Sequence, residues 1–218
     1  MNGLKVSRVI LFDLDGTVID STEAILESFS VSYGEFNVEK PTDEEIKALI
    51  GYPLDDMYRS LGVAEHEVND YVASYKRHYG KISREKTFLI DGVKEAIEYA
   101  ALYARLGVVT TKTAKYSKEL LKHFEILHHF EVLIGREDVK NPKPHAEPIL
   151  KAMSSMSAKS NSSYMIGDTR LDLFSAKNAG IKCVAVTTGY DSKEILQMYN
   201  KHVMDSLKEA IEYILDKL

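Results

Sequence analysis

Short apolar runs alternate along the chain with longer segments in which apolar residues recur every three or four positions. The short runs predict β-strands at residues 9–12, 106–110, 132–134, 164–166 and 183–186, and more weakly at 202–204. The helical spacing predicts α-helices between them, at residues 93–104, 117–123, 148–156, 171–179 and 207–218. Strands that alternate with helices predict an α/β fold with a doubly wound, parallel-sheet core of the Rossmann-like type.

The segment that follows the first strand breaks this alternation. Residues 20–88 contain helical patterns but no convincing strand, and turn-forming sequences such as Gly51-Tyr52-Pro53 interrupt them. These helices either pack on the sheet or form a separate helical cap, connected to the core through hinges near residues 18–21 and 87–91. The hydrophobic pattern agrees with both arrangements.

Two carboxylates stand at the end of the first strand. Asp13 and Asp15 follow the apolar run at residues 9–12, and Gly16 then breaks the strand. In an extended backbone, residues i and i+2 point to the same side, so both carboxylates are expected to project together from the carboxyl end of the strand, where open α/β sheets bind ligands. Neighbouring carboxylates repel each other, which suggests a bound cation or a division of roles between a nucleophile and an acid/base.

Composition and charge narrow the classes of function. The chain of 218 residues has a net charge of −5, which argues against a general nucleic-acid surface. It has no apolar run long enough to span a bilayer and no N-terminal secretory signal, so we expect no membrane partner and a cytoplasmic location. The single cysteine, Cys183, lies in an apolar run, which predicts a buried strand residue rather than a nucleophile or a metal ligand.

Four motifs resemble, in their order along the chain, the signatures of the haloacid dehalogenase-like hydrolases, most of which are phosphatases. Residues 12–18 read Phe-Asp-Leu-Asp-Gly-Thr-Val and are similar to the first signature. An apolar strand that ends in two threonines, at residues 106–111, is similar to the second. Lys143 lies between two prolines, as in the third, and residues 164–172 place Gly-Asp at a strand end with another aspartate four residues later, as in the fourth.

The resemblance favours a cap over helices that pack on the sheet, because relatives of this kind carry a helical insert after the first strand. It implies that residues 1–19 and 89–218 form the α/β core and that residues 20–88 form the α-helical cap. Dehalogenase relatives lack the second acid of the first signature, so the presence of Asp15 favours phosphoryl transfer over dehalogenation.

For the substrate, the resemblance implies a site built from strand ends and one loop of the cap. The Thr110 hydroxyl is expected to bind a phosphoryl oxygen, together with the backbone near Thr111. Lys143, on a stiff backbone between prolines, is suited to neutralising charge on the phosphoryl group. The cap loop that contains Gly51 and Tyr52 is expected to contact the substrate.

For the chemistry, the resemblance implies Mg²⁺ bound by the Asp13 carboxylate, the Asp15 backbone carbonyl and the Asp168 carboxylate. Mg²⁺ prefers oxygen ligands and keeps several waters, so a few such groups are sufficient. Asp172 is expected to orient Lys143 or a metal-bound water. Asp13 is the predicted nucleophile, which forms an aspartyl-phosphate, and Asp15 is the predicted acid/base.

The predicted function is hydrolysis of a small phosphate monoester such as phosphoglycolate. Inorganic pyrophosphate, a nucleotide or a sugar phosphate are alternative substrates for the same machinery. A different class, a non-catalytic phosphate-binding or phospho-signalling protein, is disfavoured because receiver domains are shorter and lack the acid that Asp15 supplies. We expect a small phosphorylated metabolite as the partner, no nucleic acid, and a monomer or homodimer.

Overall fold

The computed structural model describes residues 8–216, and within them the chain forms a six-stranded parallel sheet and a separate two-stranded antiparallel sheet. The strands are Val9–Phe12 (β1), Ile19–Asp20 (β2), Phe88–Leu89 (β3), Arg105–Val109 (β4), Phe130–Ile134 (β5), Ser163–Gly167 (β6), Lys182–Val186 (β7) and Val203–Met204 (β8). The helices are Thr22–Glu35 (α1), Asp43–Lys47 (α2), Leu54–Ser60 (α3), Val68–Ile82 (α4), Val93–Ala101 (α5), Ala114–His123 (α6), Glu147–Ser155 (α7), Arg170–Ala179 (α8), Lys193–Tyr199 (α9) and Leu207–Leu215 (α10). The predicted α/β fold class is confirmed.

The large sheet is covered by helices on both faces. Its strand order is β5-β4-β1-β6-β7-β8, so β1 lies in the interior of the sheet with β4 and β6 as its neighbours. Ile10 and Phe12 of β1 pack in the cluster that contains residues of α5 and α10. Val9 and Leu11 point the other way, into the cluster that contains residues of α7 and α8. Burial on both faces explains why β1 is a continuous apolar run rather than an alternating one.

Helices α1 to α4 form a second packed unit beside the sheet. Their buried side chains make a cluster of their own that is rich in aromatic rings, including Phe29, Tyr58 and Tyr75. The chain enters this unit through β2 and leaves it through β3, which pair at Ile19↔Leu89 and Asp20↔Phe88. These two strands lie at the predicted hinges, and the division into a core and a cap domain stays a prediction.

Several local predictions are wrong. Residues 20–88 were expected to lack strand, yet Asp20 and Phe88 pair with each other, because two strands of two residues give no detectable alternation. The helix expected over residues 207–218 ends at Leu215, and residues 217–218 lie outside the described range. Cys183 lies in a strand, as predicted, but is only partly buried, since the short β8 pairs with β7 at Ala185 and Val186 and does not extend along Cys183. In the described range 8–216, no helix combines the length and apolar character needed to cross a membrane.

Candidate active site

Three of the candidate residues lie directly after neighbouring strands of the sheet. Asp13 follows β1, Thr110 follows β4 and Asp168 follows β6. The strands are parallel and in register, with Phe12 opposite Val108 and Ile166, so their carboxyl ends meet at one edge of the sheet. All three side chains are buried, with at most 5% of their surface exposed. The fold therefore gathers these residues into one water-poor site.

The two carboxylates of the first motif have different surroundings. β1 ends at Phe12, and the chain then turns, with the Leu14 carbonyl accepting hydrogen bonds from later backbone N–H groups. The N–H of Asp13 still donates a hydrogen bond to the carbonyl oxygen of Ile166 in β6, and Asp15 forms an isolated bridge with Ile19. Asp13 pairs with Lys143, whereas Asp15 pairs with Lys112 on another side of the site.

Lys143 holds Asp13 on one side of the site. Its Nζ lies 2.8 Å from Oδ1 of Asp13 and 2.6 Å from Oδ1 of Asp172, and the lysine is 2% exposed. Burial by itself would lower the pKa of Lys143, but the two carboxylates outweigh burial and raise it, so the amine stays charged. A fixed cation next to the predicted nucleophile is suited to binding the oxygens of a phosphoryl group.

Asp172 is fixed by the start of α8. Its Oδ2 accepts hydrogen bonds from the backbone N (3.1 Å) and Oγ1 (2.9 Å) of Thr169, the N-cap residue of α8, while Oδ1 accepts one from Nζ of Lys143. A side chain at Gly167 would place Cβ 2.2 Å from Cγ of Asp172, so the strand end requires glycine there. Both oxygens of Asp172 are already engaged, one of them by Lys143, and its role in orienting Lys143 or a metal-bound water stays a prediction.

Two loops hold the Asp168 carboxylate, one after β1 and the other after β7. Its Oδ1 accepts a hydrogen bond from Oγ1 of Thr17 (2.8 Å), and its Oδ2 accepts one from the backbone N of Tyr190 (3.0 Å). A Cβ at Gly189 would lie 1.9 Å from Oδ2, and one at Gly16 would lie 2.3 Å from the same atom. The two glycines let backbone approach the carboxylate closely and fix its position.

The carboxylates of Asp13, Asp168 and Asp172 form a cluster in which one oxygen of each lies within 4.8 Å of the others. Burial raises the pKa of Asp13 to about 7, against the opposing effect of Lys143, and raises the pKa of Asp168 well above its usual value. When all three carboxyl groups are ionised, as they would be around a bound cation, the amine of Lys143 offsets only one of the three negative charges. A donor set made of oxygens with excess negative charge fits a hard divalent cation such as Mg²⁺, for which Asp13 and Asp168 are the better placed ligands.

Asp15 lies near this cluster and has two partners of its own. Oγ of Ser21 donates a hydrogen bond to Oδ1, and Nζ of Lys112 lies 3.2 Å from Oδ2. The Lys112 amine also lies 4.6 Å from the ring centre of Tyr79 in α4. Burial would lower the pKa of Lys112, but Asp15 and Tyr79 together outweigh burial and raise it.

The cap loop meets the core beside these residues. Oγ1 of Thr111 donates a hydrogen bond of 2.9 Å to the carbonyl oxygen of Gly51, whose φ of 110° requires glycine. A cavity of about 360 Å³ lies between α1–α4 and the sheet. Its lining includes Asp15, Gly51, Tyr52, Tyr79, Thr111 and Lys112. Of the predicted site residues, Asp13, Lys143, Asp168 and Asp172 form the buried group of side chains, Asp15, Gly51, Tyr52 and Thr111 line this cavity, and Thr110 lies buried directly after β4.

Sequence reasoning missed several residues of the site. Thr17 lies inside the first motif and Lys112 directly follows the second, so the motifs themselves could have indicated both. Ser21 carries no such signal, because its contact with Asp15 depends on the turn that follows β1. The loop at Gly189 and Tyr190 comes from the end of β7, and no local feature of the sequence singles it out.

Comparison with known proteins agrees with this geometry. Residues 10–186 match the model of the haloacid dehalogenase-like hydrolase family. The pyrophosphatase PpaX of Halalkalibacterium halodurans is 30% identical, over 95% of this chain and 96% of the relative. The phosphoglycolate phosphatase of Salmonella typhi is 29% identical, over 97% and 94% respectively. A haloacid dehalogenase-like hydrolase from Streptococcus pneumoniae has a solved structure with a TM-score of 0.85 and 25% identity, covering 96% of this chain and 99% of that one.

The family match and the geometry of the strand ends both indicate a hydrolase site at the carboxyl edge of the sheet. The four motifs span residues 12–172, inside the range that the family model matches. The prediction of an enzyme of the phosphatase type found in this family is confirmed. The chain belongs to the haloacid dehalogenase-like hydrolase family.

Proposed function

We propose that this hydrolase is a Mg²⁺-dependent phosphatase that hydrolyses a small phosphate monoester through an aspartyl-phosphate on Asp13. The observation that carries the proposal is the position of Asp13, a buried carboxylate at a strand end between the amine of Lys143 and the carboxylate of Asp168. Asp13, the Asp15 backbone carbonyl and Asp168 would hold the metal. When bound, Mg²⁺ neutralises charge on the phosphoryl oxygens and on the attacking carboxylate.

The reaction has two steps. In the first, a carboxylate oxygen of Asp13 forms a bond to phosphorus while the bond from phosphorus to the leaving oxygen breaks, and Asp15 gives its proton to that oxygen. In the second, water attacks the phosphorus of the aspartyl-phosphate, Asp15 takes up the proton, and Asp13 is released together with inorganic phosphate. Lys143 and Thr110 hold the transferring group in both steps, and Asp172 keeps Lys143 in place.

Residues 20–88 form the cap in this proposal, and residues 1–19 and 89–218 form the core. The hydrogen bond between Thr111 and Gly51 supports a cap that closes on the core beside the reacting group. Closure excludes bulk water, and Gly51 and Tyr52 contact the part of the substrate that leaves. The cytoplasmic location and the monomeric or homodimeric state stay predictions.

Phosphoglycolate is the proposed type of substrate, because a relative that aligns over nearly the whole chain is a phosphoglycolate phosphatase. Pyrophosphate is the second candidate, since a relative of slightly higher identity is a pyrophosphatase. In both substrates the bond that breaks joins phosphorus to an oxygen of the leaving group, to which Asp15 would give its proton. The same residues would therefore act in the same order.

The test is phosphate release from phosphoglycolate, pyrophosphate, sugar phosphates and nucleotides, with and without Mg²⁺. Asp13→Asn should abolish release, whereas Asp216→Asn, which changes an exposed aspartate directly after α10, should leave it intact. Fastest release from phosphoglycolate, only with Mg²⁺ and Asp13, is the expected result. Activity retained in Asp13→Asn would refute the mechanism, and no release from any substrate would favour a non-catalytic phosphate-binding protein.

A further inference from the structure

We propose that Lys112 is a positioning residue that holds Asp15 in place for proton transfer to the leaving oxygen, and that Tyr79 of α4 holds Lys112 in turn. The inference rests on the proposed role of Asp15 as the acid/base. It adds a residue whose side chain has no part in the two-step scheme described above. It also links that acid to a helix of the proposed cap.

Both oxygens of the Asp15 carboxylate are held by side chains. Ser21 donates a hydrogen bond to Oδ1, and the Lys112 amine lies 3.2 Å from Oδ2. The side chain of Lys112 is 10% exposed and that of Asp15 is 12% exposed, so solvent screens the ion pair weakly. An acid must lie within hydrogen-bonding reach of the oxygen that it protonates, and two contacts restrict the positions that the Asp15 carboxyl group can take.

The backbone of Lys112 is fixed by the end of β4. Its N–H donates a hydrogen bond of 3.1 Å to Oγ1 of Thr110, and its carbonyl accepts one of 3.0 Å from the N–H of Arg136. The side chain then crosses the site towards Asp15 and places its amine 4.6 Å from the ring centre of Tyr79. Tyr79 is 1% exposed and belongs to α4, so Lys112 contacts the core acid and the cap helix at once.

The buried Lys143 and the partly buried Lys112 pair with different carboxylates. Lys143 pairs with Asp13 and Asp172, whereas among the described residues the ion pair of Lys112 is with Asp15. Loss of Lys112 should therefore disturb proton transfer to the leaving group and leave the contacts of the nucleophile in place. Substrates whose leaving groups differ in their need for a proton should therefore respond differently to the loss of Lys112.

The experiment compares phenyl phosphate with p-nitrophenyl phosphate in the presence of Mg²⁺. The two rings have similar shapes, but p-nitrophenolate leaves readily as an anion and phenolate depends more on protonation. In Lys112→Met, kcat/KM for phenyl phosphate should fall at least tenfold, while kcat/KM for p-nitrophenyl phosphate should change less than threefold. Lys112→Arg, which keeps the charge, should recover most of the loss. Lys118→Met, which changes an exposed lysine of α6, is the matched control and should leave both values unchanged.

A merely structural role of Lys112 would give a different pattern. Equal losses of kcat/KM on both esters, in a variant with the wild-type melting temperature, would overturn the inference. If Lys112→Met does not fold, Lys112→Gln provides the same comparison with a neutral polar side chain. Tyr79→Leu should reproduce the selective loss on a smaller scale, about threefold to tenfold on phenyl phosphate. A wild-type protein that releases phosphate from neither ester would instead refute the proposed function. Failure of the proposed function can therefore be distinguished from failure of the inference about Lys112.

Discussion

Replacement of Asp172 by asparagine tests how the site is held together. Asp172 is fully buried and accepts three hydrogen bonds, one from Lys143 and two from Thr169. Asparagine has the same shape, but its NH₂ group is a donor. The NH₂ group of the new asparagine must therefore face another hydrogen-bond donor, either the Lys143 amine or the Thr169 backbone N–H.

The loss in free energy of unfolding depends on which of these contacts asparagine cannot make. A donor facing Thr169 costs about 1 kcal/mol of helix capping. Replacing the carboxylate beside Lys143 with a neutral oxygen costs about 1–2 kcal/mol more, since hydrogen bonds between charged groups are the stronger ones. Weaker repulsion between position 172 and Asp13 offsets part of this loss. The net destabilisation is about 1–3 kcal/mol, which for a domain of this size lowers the melting temperature by about 3–9 °C.

Thermal unfolding in EDTA, followed by circular dichroism, measures this effect without a contribution from bound metal. Asp216→Asn is the control and should melt within about 1 °C of the wild type, because its side chain is exposed. The Asp172→Asn variant should also lose at least tenfold in kcat, since Lys143 keeps only one of its two charged partners. A variant with the wild-type melting temperature and the wild-type kcat would refute the argument that Asp172 fixes Lys143.

Three further predictions concern the sheet, the cap contact and the metal. In Gly107→Ala, the new Cβ would lie 2.7 Å from a methyl group of Val132 and 2.9 Å from one of Leu11, so urea unfolding should show a loss of about 1–3 kcal/mol. Thr111→Val removes the hydrogen bond to Gly51, and steady-state kinetics should show KM raised about threefold to tenfold with a smaller change in kcat. EDTA should abolish phosphate release, and Mg²⁺ in excess should restore it, whereas activity that persists after chelation would exclude a metal requirement.

The sheet could be predicted from the sequence because burial on both faces leaves a strong local signal. β1 is an unbroken apolar run, and the prediction of its bounds, Val9–Phe12, agrees with the structure. β2 and β3 could not be found, because strands of two residues are defined by their pairing with each other and not by a local pattern. The end of α10 was also misplaced, since Leu218 continues the helical spacing after the helix has ended at Leu215.

In the site, residues inside motifs were predictable and residues brought in by tertiary contacts were not. Asp13, Lys143 and Asp168 each follow a recognisable pattern, and the structure brings them together. Lys112 reaches Asp15 only because β4 lies beside β1 in the sheet. The backbone N–H of Tyr190 reaches Asp168 from the loop after β7, a contact that spacing along the chain does not indicate.

The most direct test of the central claim is to identify the atom that carries the phosphoryl group during turnover. Wild-type protein and a fast substrate are mixed with Mg²⁺, quenched in acid within milliseconds and digested for mass spectrometry. The account predicts a phosphorylated peptide modified at Asp13, which appears during turnover and is absent in Asp13→Asn. Phosphate on another residue, or steady turnover with no covalent phosphate at the earliest times, would contradict it.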